Sequence, residues 1–120
     1  MKISDTQKDR IAKMLFSTVY PLYVTKVEKK GRTESELKLV INWLTGYSDA
    51  QIQECIQQNM NFFDFFKNAK LHENANLITG VICGYRVEEI EDQLTQQVRM
   101  LDKLVDELAK GRKMEKILRG

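Results

Sequence analysis

A long helical pattern near the C-terminus is the strongest architectural signal in this sequence. Between residues 87 and 110 the apolar positions alternate spacings of four and three, which places them on one face of an α-helix. These positions are Leu94, Val98, Leu101, Val105 and Leu108. The pattern lasts only about two heptads, and Leu104 widens the face beyond a narrow seam. It therefore favours a helix that packs across its own domain, with a homodimer through the 94–108 helix as the alternative.

Capping boxes mark the starts of several other helices. In each box a Ser or Thr is followed three residues later by Glu or Gln, so the two side chains bond each other's free backbone amides. The pairs are Ser4 with Gln7, Thr33 with Glu36 and Ser48 with Gln51, and Asn61 suits the cap of a further short helix. Gly46 provides an end for the helix that begins after Thr33. These signals predict several short helices before the long one.

Pro21 complicates the first third of the chain. Because proline disfavours helical geometry in the residue before it, the first helix is expected to end or kink near Tyr20. Residues 21–30 then fit either a second helix or a β-strand, since they contain several β-branched residues but end in two lysines and Gly31. We favour the helix.

Residues 77–83 are apolar enough for a strand, but Gly80 lies inside the segment and a partner strand is not evident. A short buried helix or an irregular core segment is expected there.

Together the signals predict a mainly α fold, a compact single domain over residues 1–120 with five to seven helices and the long helix as its spine. An α+β fold with a small sheet from residues 19–27 and 77–83 is the alternative.

Composition limits the class of protein. The chain has 120 residues, about the size of one domain, and 42% hydrophobic and 30% charged residues are typical of a globular protein. The apolar stretches are far shorter than the roughly 20 residues of a transmembrane helix. The N-terminus lacks the apolar segment of a secretory signal, so a cytoplasmic protein without membrane association is expected. A net charge of +2 indicates no particular partner.

The residues that often carry chemistry form no recognisable motif. Cys55 and Cys83 lie in apolar stretches at a spacing that fits no metal or redox motif, and we expect buried, reduced thiols. His72, the only histidine, is expected in an exposed loop. The acidic residues at 88, 89, 91 and 92 suit the start of the long helix, where free amides favour negative charge. We therefore expect no cofactor and no metal.

The strongest functional signal is a basic cluster with aromatic residues nearby. The cluster comprises Lys26, Lys29, Lys30 and Arg32, and the aromatic residues are Tyr20, Tyr23, Trp43 and Tyr47. Basic side chains neutralise phosphates, and aromatic faces stack on bases. A second basic run near the C-terminus comprises Lys110, Arg112, Lys113, Lys116 and Arg119. Both runs also suit helix C-termini, where cations complement the helix dipole.

Two classes of function fit these signals. The first is a non-enzymatic interaction module that binds a protein or a polyanion through the basic and aromatic surface. The second is a small enzyme or small-ligand-binding protein with a pocket near Trp43, Cys83 and Tyr85, which would need convergent polar groups. We favour the first, because no catalytic motif supports the second.

Four stretches carry a family resemblance: YPLYVTKVEKKGR at residues 20–32, WLTGY at 43–47, LITGVICGY at 77–85 and LDKLVDELAKG at 101–111. They resemble a family of uncharacterised bacterial proteins, the domain-of-unknown-function family 2200. The resemblance spans nearly the whole chain and implies no activity, cofactor or catalytic residue. Members often have proline where this chain has Gln93. Because proline suits a first helical position, the resemblance implies that Asp92 is an N-cap and that the long helix is broken there.

Overall fold

The computed structural model describes residues 3–120. Within this range it contains seven α-helices, one two-stranded hairpin and two short 3₁₀-helices. The helices are α1 (Asp5–Lys13), α2 (Phe16–Glu28), α3 (Glu34–Thr45), α4 (Asp49–Gln57), α5 (Phe62–Lys67), α6 (Gln93–Ala109) and α7 (Met114–Ile117). The strands are β1 (Val81–Ile82) and β2 (Tyr85–Arg86), and the 3₁₀-helices are Ala75–Leu77 and Val87–Glu89. The mainly α class is confirmed. No helix of residues 3–120 combines the length and apolarity needed to cross a bilayer.

The predicted caps start four of these helices. The amide N–H of the third helical residue donates to the capping side chain at 3.2 Å for Ser4, 3.1 Å for Thr33, 3.1 Å for Ser48 and 2.8 Å for Asn61. In the first three the reciprocal bond of the capping box is also present. Gly46 ends α3 with φ of 75°, in the left-handed region that favours glycine. The local signals therefore set these helix boundaries as predicted.

The break between α1 and α2 lies well before Pro21. α1 ends before Met14, which is extended with ψ of 133°. The Phe16 N–H donates to the Met60 carbonyl at 2.8 Å, and the Phe62 N–H donates to the Met14 carbonyl at 2.9 Å. This short antiparallel bridge to a distant segment satisfies backbone groups that the helices leave free. Because the bridge joins segments far apart in the chain, no local sequence pattern predicts it.

Pro21 lies inside α2, so the predicted helix end near Tyr20 is wrong. The inward face of α2 is a buried stripe of Phe16, Tyr20, Tyr23 and Val27. Burial of this stripe outweighs the roughly 3 kcal/mol that an internal proline costs a helix. Residues 21–28 are helical as we favoured, but they form the second half of α2 instead of a separate helix.

The hairpin corrects the expectation for residues 77–83. Val81 pairs with Arg86 and Ile82 with Tyr85 in antiparallel register. Cys83 and Gly84 form the turn, with φ of 52° and 81°. Two central residues with positive φ suit a tight hairpin because their twist matches that of the strands. A partner strand therefore follows the first directly, and the alternative sheet that used residues 19–27 is wrong because those residues belong to α2.

The long helix forms the spine of the core, but it begins at Gln93 and not near residue 87. The Thr95 N–H donates to the Asp92 carboxylate at 3.1 Å, so Asp92 is the N-cap that the family resemblance implied. Of the apolar stripe, Leu94 is half-buried and the others are buried: Val98, Leu101, Val105 and Leu108. The homodimer stays a prediction, and it would have to use the outer side of α6 because the stripe faces inward.

One apolar cluster holds these elements together, with buried members from Ile11 to Ile117. α6 packs against α1, α2, α3, α5, α7 and β1. Beside it, the Phe16 and Phe65 rings stack with centroids 4.3 Å apart, and Phe62 meets Phe16 edge-on. This packing brings the C-terminal end of α2 alongside the C-terminal part of α6.

Candidate functional site

The two basic runs lie at the same end of the molecule, which we call the basic end. Arg32 follows α2, and its Nη1 donates to the carbonyls of Leu108 at 3.2 Å and Arg112 at 2.8 Å. Lys26 of α2 lies 3.4 Å from the Asp106 carboxylate of α6. These contacts join the end of α2 to the end of α6. Sequence reasoning could not decide whether the two runs share a face, and the structure brings them together.

The arginines of the basic end are engaged in contacts within the chain. Arg32 donates to Glu36 from Nε at 3.1 Å and from Nη2 at 2.8 Å, and this hydrogen bonding holds the pKa of Glu36 below its ordinary value. Arg119 donates to both carboxylate oxygens of Glu107, at 2.8 and 2.9 Å, and Arg112 adds a third contact at 3.0 Å. Glu107 is only 5% exposed. These arginines therefore support the fold and contribute little free charge.

Four exposed lysines supply the free positive charge of the basic end: Lys29, Lys30, Lys113 and Lys116. Within residues 3–120 none of these four lies within 4.0 Å of a carboxylate oxygen. Lys26 and Lys110 differ, because both contact Asp106, at 3.4 and 3.0 Å. Burial alone would raise the pKa of Asp106, but the hydrogen bond from Lys110 and the charge of Lys26 outweigh it and lower that pKa. The positive charge of the basic end that is not paired with a carboxylate within residues 3–120 is thus carried by these four lysines.

The aromatic residues do not form a stacking surface beside these lysines. Tyr20 and Tyr23 are 6% and 8% exposed, and their hydroxyls donate to Glu34 at 2.7 Å and to Asp102 at 2.5 Å. Burial is the main cause that raises the pKa of both hydroxyls. Tyr47 is half-buried and donates to the Phe65 carbonyl at 2.6 Å, and burial raises its pKa to about 12. The rings of Tyr20 and Tyr23 belong to the hydrophobic core, and the ring of Tyr47 packs against it.

Trp43 and His72 form a separate site near the end of α3. Their rings stack with centroids 4.2 Å apart, and His72 Nδ1 accepts from the Asn74 N–H at 2.9 Å. His72 lies in a loop as expected, but the expected exposure is wrong because the ring is half-buried against the indole. Both residues line a shallow cleft with Gly46 and Lys70. Tyr85 lines a different cleft, so two of the three residues of the predicted pocket, Trp43 and Tyr85, lie in separate clefts.

The two cysteines occupy different environments. Cys55 is 3% exposed, and burial raises its pKa. Cys83 is exposed at the tip of the hairpin, which corrects the expectation of two buried thiols. The apolar neighbours of Cys83 in sequence are strand residues, whereas the turn itself points outward. Its Sγ accepts from Arg99 Nη1 at 3.6 Å.

A second cleft lies where α1, the hairpin and α6 meet. It has a volume of about 130 Å³, and we call it the arginine cleft. Its lining includes Gln7, Arg10, Ile11, Met14, Tyr85 and Arg99. The Arg99 guanidinium lies 5.8 Å from the centre of the Tyr85 ring. Apart from Tyr85, sequence reasoning missed these residues. One sequence signal could have pointed to this cleft. Arg99 and Asp102 are three residues apart on the long helix, a spacing at which an arginine and a carboxylate can pair.

The acidic residues before α6 have structural partners. Glu88 accepts from the Gly80 N–H at 3.0 Å, and this hydrogen bond lowers the pKa of Glu88. Asp92 caps α6. Within residues 3–120 no group of three or more His, Cys, Asp or Glu side chains is placed to hold a metal ion.

Comparison with known proteins places the chain in a family. A family model described as "uncharacterized protein conserved in bacteria (DUF2200)" matches residues 10–119. The crystal structure of uncharacterized protein SP1917 is similar, with 39% sequence identity, a TM-score of 0.86 and coverage of 98% of this chain and 94% of that chain. No curated protein matches significantly. The chain therefore belongs to the DUF2200 family of uncharacterized proteins conserved in bacteria.

Proposed function

We propose that this protein is a non-enzymatic module that binds a polyanion through the four free lysines of the basic end. The observation that carries the proposal is the pair of hydrogen bonds from Arg32 to the carbonyls of Leu108 and Arg112. They hold the segment after α2 against the segment after α6, and the proposal takes the lysines of both segments as one surface. Four cations on one surface can contact successive phosphates or sulfates, which release counterions as they are neutralised.

The binding mode is electrostatic, without base stacking. Tyr20 and Tyr23, which the sequence suggested as stacking partners, are buried and hydrogen-bonded. A surface of lysines recognises charge spacing and not sequence, because an ammonium group is a compact point charge without a fixed fork of donors. We therefore expect little discrimination among nucleic acids and strong weakening by salt.

The rest of the charge distribution supports an oriented encounter. The acidic residues Glu88 and Asp92 precede α6, and the second basic run follows it. The 17 residues of α6 separate the two ends by about 25 Å, at 1.5 Å per residue. A near-neutral chain can thus present a positive end to a polyanion, because local fields act over about a Debye length of 8–10 Å. A cytoplasmic location, as the sequence predicts, would expose this end to nucleic acids.

The test is a titration of duplex DNA, single-stranded RNA and heparin at low salt, followed by fluorescence anisotropy. Wild type is compared with Lys29→Glu/Lys30→Glu and with the control Lys67→Glu/Lys70→Glu. The control changes two exposed lysines, and hence the net charge, by the same amount at sites outside the basic end. We expect the first variant to bind clearly more weakly than wild type and the control to keep the wild-type affinity. Absence of binding to all three polyanions, or equal weakening by both variants, would contradict the proposal. If the protein bound only an acidic protein and none of the three polyanions, the proposed ligand would be a protein partner instead of a polyanion.

A further inference from the structure

We propose that the arginine cleft binds a small organic carboxylate with a short apolar chain. The site is separate from the basic end and its proposed polyanion. Its lining combines two guanidinium groups, an amide and a phenol with the apolar side chains of Ile3, Ile11 and Met14.

Arg99 is fixed in place before any ligand binds. Its Nη1 donates to Asp102 at 2.8 Å, and the other oxygen of that carboxylate accepts from the buried Tyr23 hydroxyl at 2.5 Å. The Nε of Arg99 is buried and has no acceptor among residues 3–120. A buried donor without an acceptor is unfavourable, and a guanidinium suits bidentate contact with a carboxylate. The Nη2 of Arg99 makes no hydrogen bond within residues 3–120 and the side chain lines the cleft, so Arg99 keeps donor capacity for an anion there.

The other polar groups also favour an anion. Arg10 lies on the exposed side of α1 and pairs with no carboxylate among residues 3–120. Gln7 Nε2 donates to the Tyr85 hydroxyl oxygen at 3.3 Å, which leaves the phenolic proton able to donate to a ligand. No Asp or Glu lines the cleft, and the nearby Asp102 is shared by Arg99 and Tyr23. An anion would thus meet donors and no facing carboxylate.

The size and the apolar wall narrow the class of ligand. A volume of about 130 Å³ is below the roughly 300–1,000 Å³ of clefts that hold drug-sized ligands. The cleft would not enclose a whole nucleotide. Inorganic phosphate would satisfy the arginines but would leave Met14, which is 39% exposed, uncovered. A carboxylate with a few carbon atoms offers an anion to the arginines and an apolar chain to the apolar side chains of the cleft.

The test is a titration of butyrate into the full chain, in a buffer free of carboxylates and phosphate, followed by NMR of the Ile11 and Met14 methyl groups. Inorganic phosphate and uncharged 1-butanol are titrated in parallel. Arg10→Gln removes one guanidinium from an exposed position. Lys13→Gln is the matched control, since Lys13 is exposed in the same last turn of α1, pairs with Asp9 at 3.0 Å and does not line the cleft.

We expect butyrate to shift both methyl signals saturably and butanol to shift neither. Arg10→Gln should weaken butyrate binding about tenfold, and Lys13→Gln should leave it unchanged. Arg99→Lys, which keeps the charge beside Asp102 but removes the planar fork, should weaken it similarly. No shift with butyrate, equal shifts with butanol, or equal affinity in Arg10→Gln and Lys13→Gln would overturn the proposal. Shifts with phosphate but not with butyrate would overturn the assignment to a carboxylate.

Discussion

The basic end and the arginine cleft both carry positive charge, but they place it differently. At the basic end Arg32, Arg112 and Arg119 are bonded to carboxylates and backbone carbonyls, and lysines carry the free charge. In the cleft Arg99 contacts a carboxylate, that of Asp102, through Nη1 only, and it lies next to apolar side chains. In our proposals the first arrangement suits the attraction of a polyanion by charge, and the second suits the recognition of a small anion by contact. The number of basic residues in a segment therefore says less about binding than the partners that each residue already has.

Both regions depend on α6, because the cleft uses its N-terminal half and the basic end its C-terminus. Leu101 lies between them and is fully buried. Leu101→Ala should lower the free energy of unfolding by about 2–5 kcal/mol, since it removes buried carbon atoms and leaves a cavity. Urea unfolding of wild type and variant, monitored by circular dichroism, measures this loss. A loss below about 0.5 kcal/mol, the range of surface substitutions, would contradict the core position.

Glu107 distinguishes the two regions, because it anchors Arg112 and Arg119 of the basic end and does not line the cleft. Glu107→Gln should lower the free energy of unfolding by about 1.5–3 kcal/mol, the range for hydrogen bonds to charged groups, and leave Arg119 without its carboxylate. The methyl signals of Met14 should stay unchanged, because Glu107 does not line the cleft. Perturbation of Met14 as large as that at the basic end would show that the regions are not independent.

The sequence predicted those features that depend on local chemistry. The caps at Ser4, Thr33 and Ser48 need only residues three positions apart, so they were found. The helix through Pro21 and the bridge at Met14 depend on packing with distant segments, so they were missed. The lysines of the basic end were named from the sequence, but their freedom from carboxylates is a tertiary property.

The arginine cleft shows the same limit more strongly. Arg10, Tyr85 and Arg99 come from three elements far apart in sequence, and only the packing of α1 and the hairpin on α6 brings them together. The hairpin was missed because its strands have two residues each and its turn includes a non-glycine residue, Cys83, at positive φ. Short strands carry too few residues for a recognisable alternating pattern.

A smaller effect tests the contact between Arg32 and Glu36 at the basic end. Because the hydrogen bond from Arg32 lowers the pKa of Glu36 from its ordinary 4.5, this contact stabilises the fold above that pH and stops doing so as pH falls through the lowered pKa. Glu36→Gln should cost about 0.2–1 kcal/mol near pH 7 and nearly nothing near pH 2. Urea unfolding at both pH values measures it, and an equal cost at both would exclude the ionic contribution.

Cys83→Ser should have the smallest effect on stability, within about 0.5 kcal/mol, because the residue is exposed. It should also abolish labelling of the native protein by a thiol reagent, since Cys55 is buried. Mass spectrometry of wild type and variant measures this. Native-state labelling of the variant at the wild-type rate would contradict the assigned burial of Cys55.

The salt dependence of polyanion binding tests most directly the claim that the two basic runs act as one surface. Four lysine contacts to duplex DNA predict a slope of log K against log salt near −3.6, at about 0.9 per contact. Reversing either pair, Lys29→Glu/Lys30→Glu or Lys113→Glu/Lys116→Glu, should reduce the slope by about 1.8 in magnitude, and reversing both should abolish binding. A slope that responds to only one pair would show that the runs do not meet the same ligand and would contradict the claim.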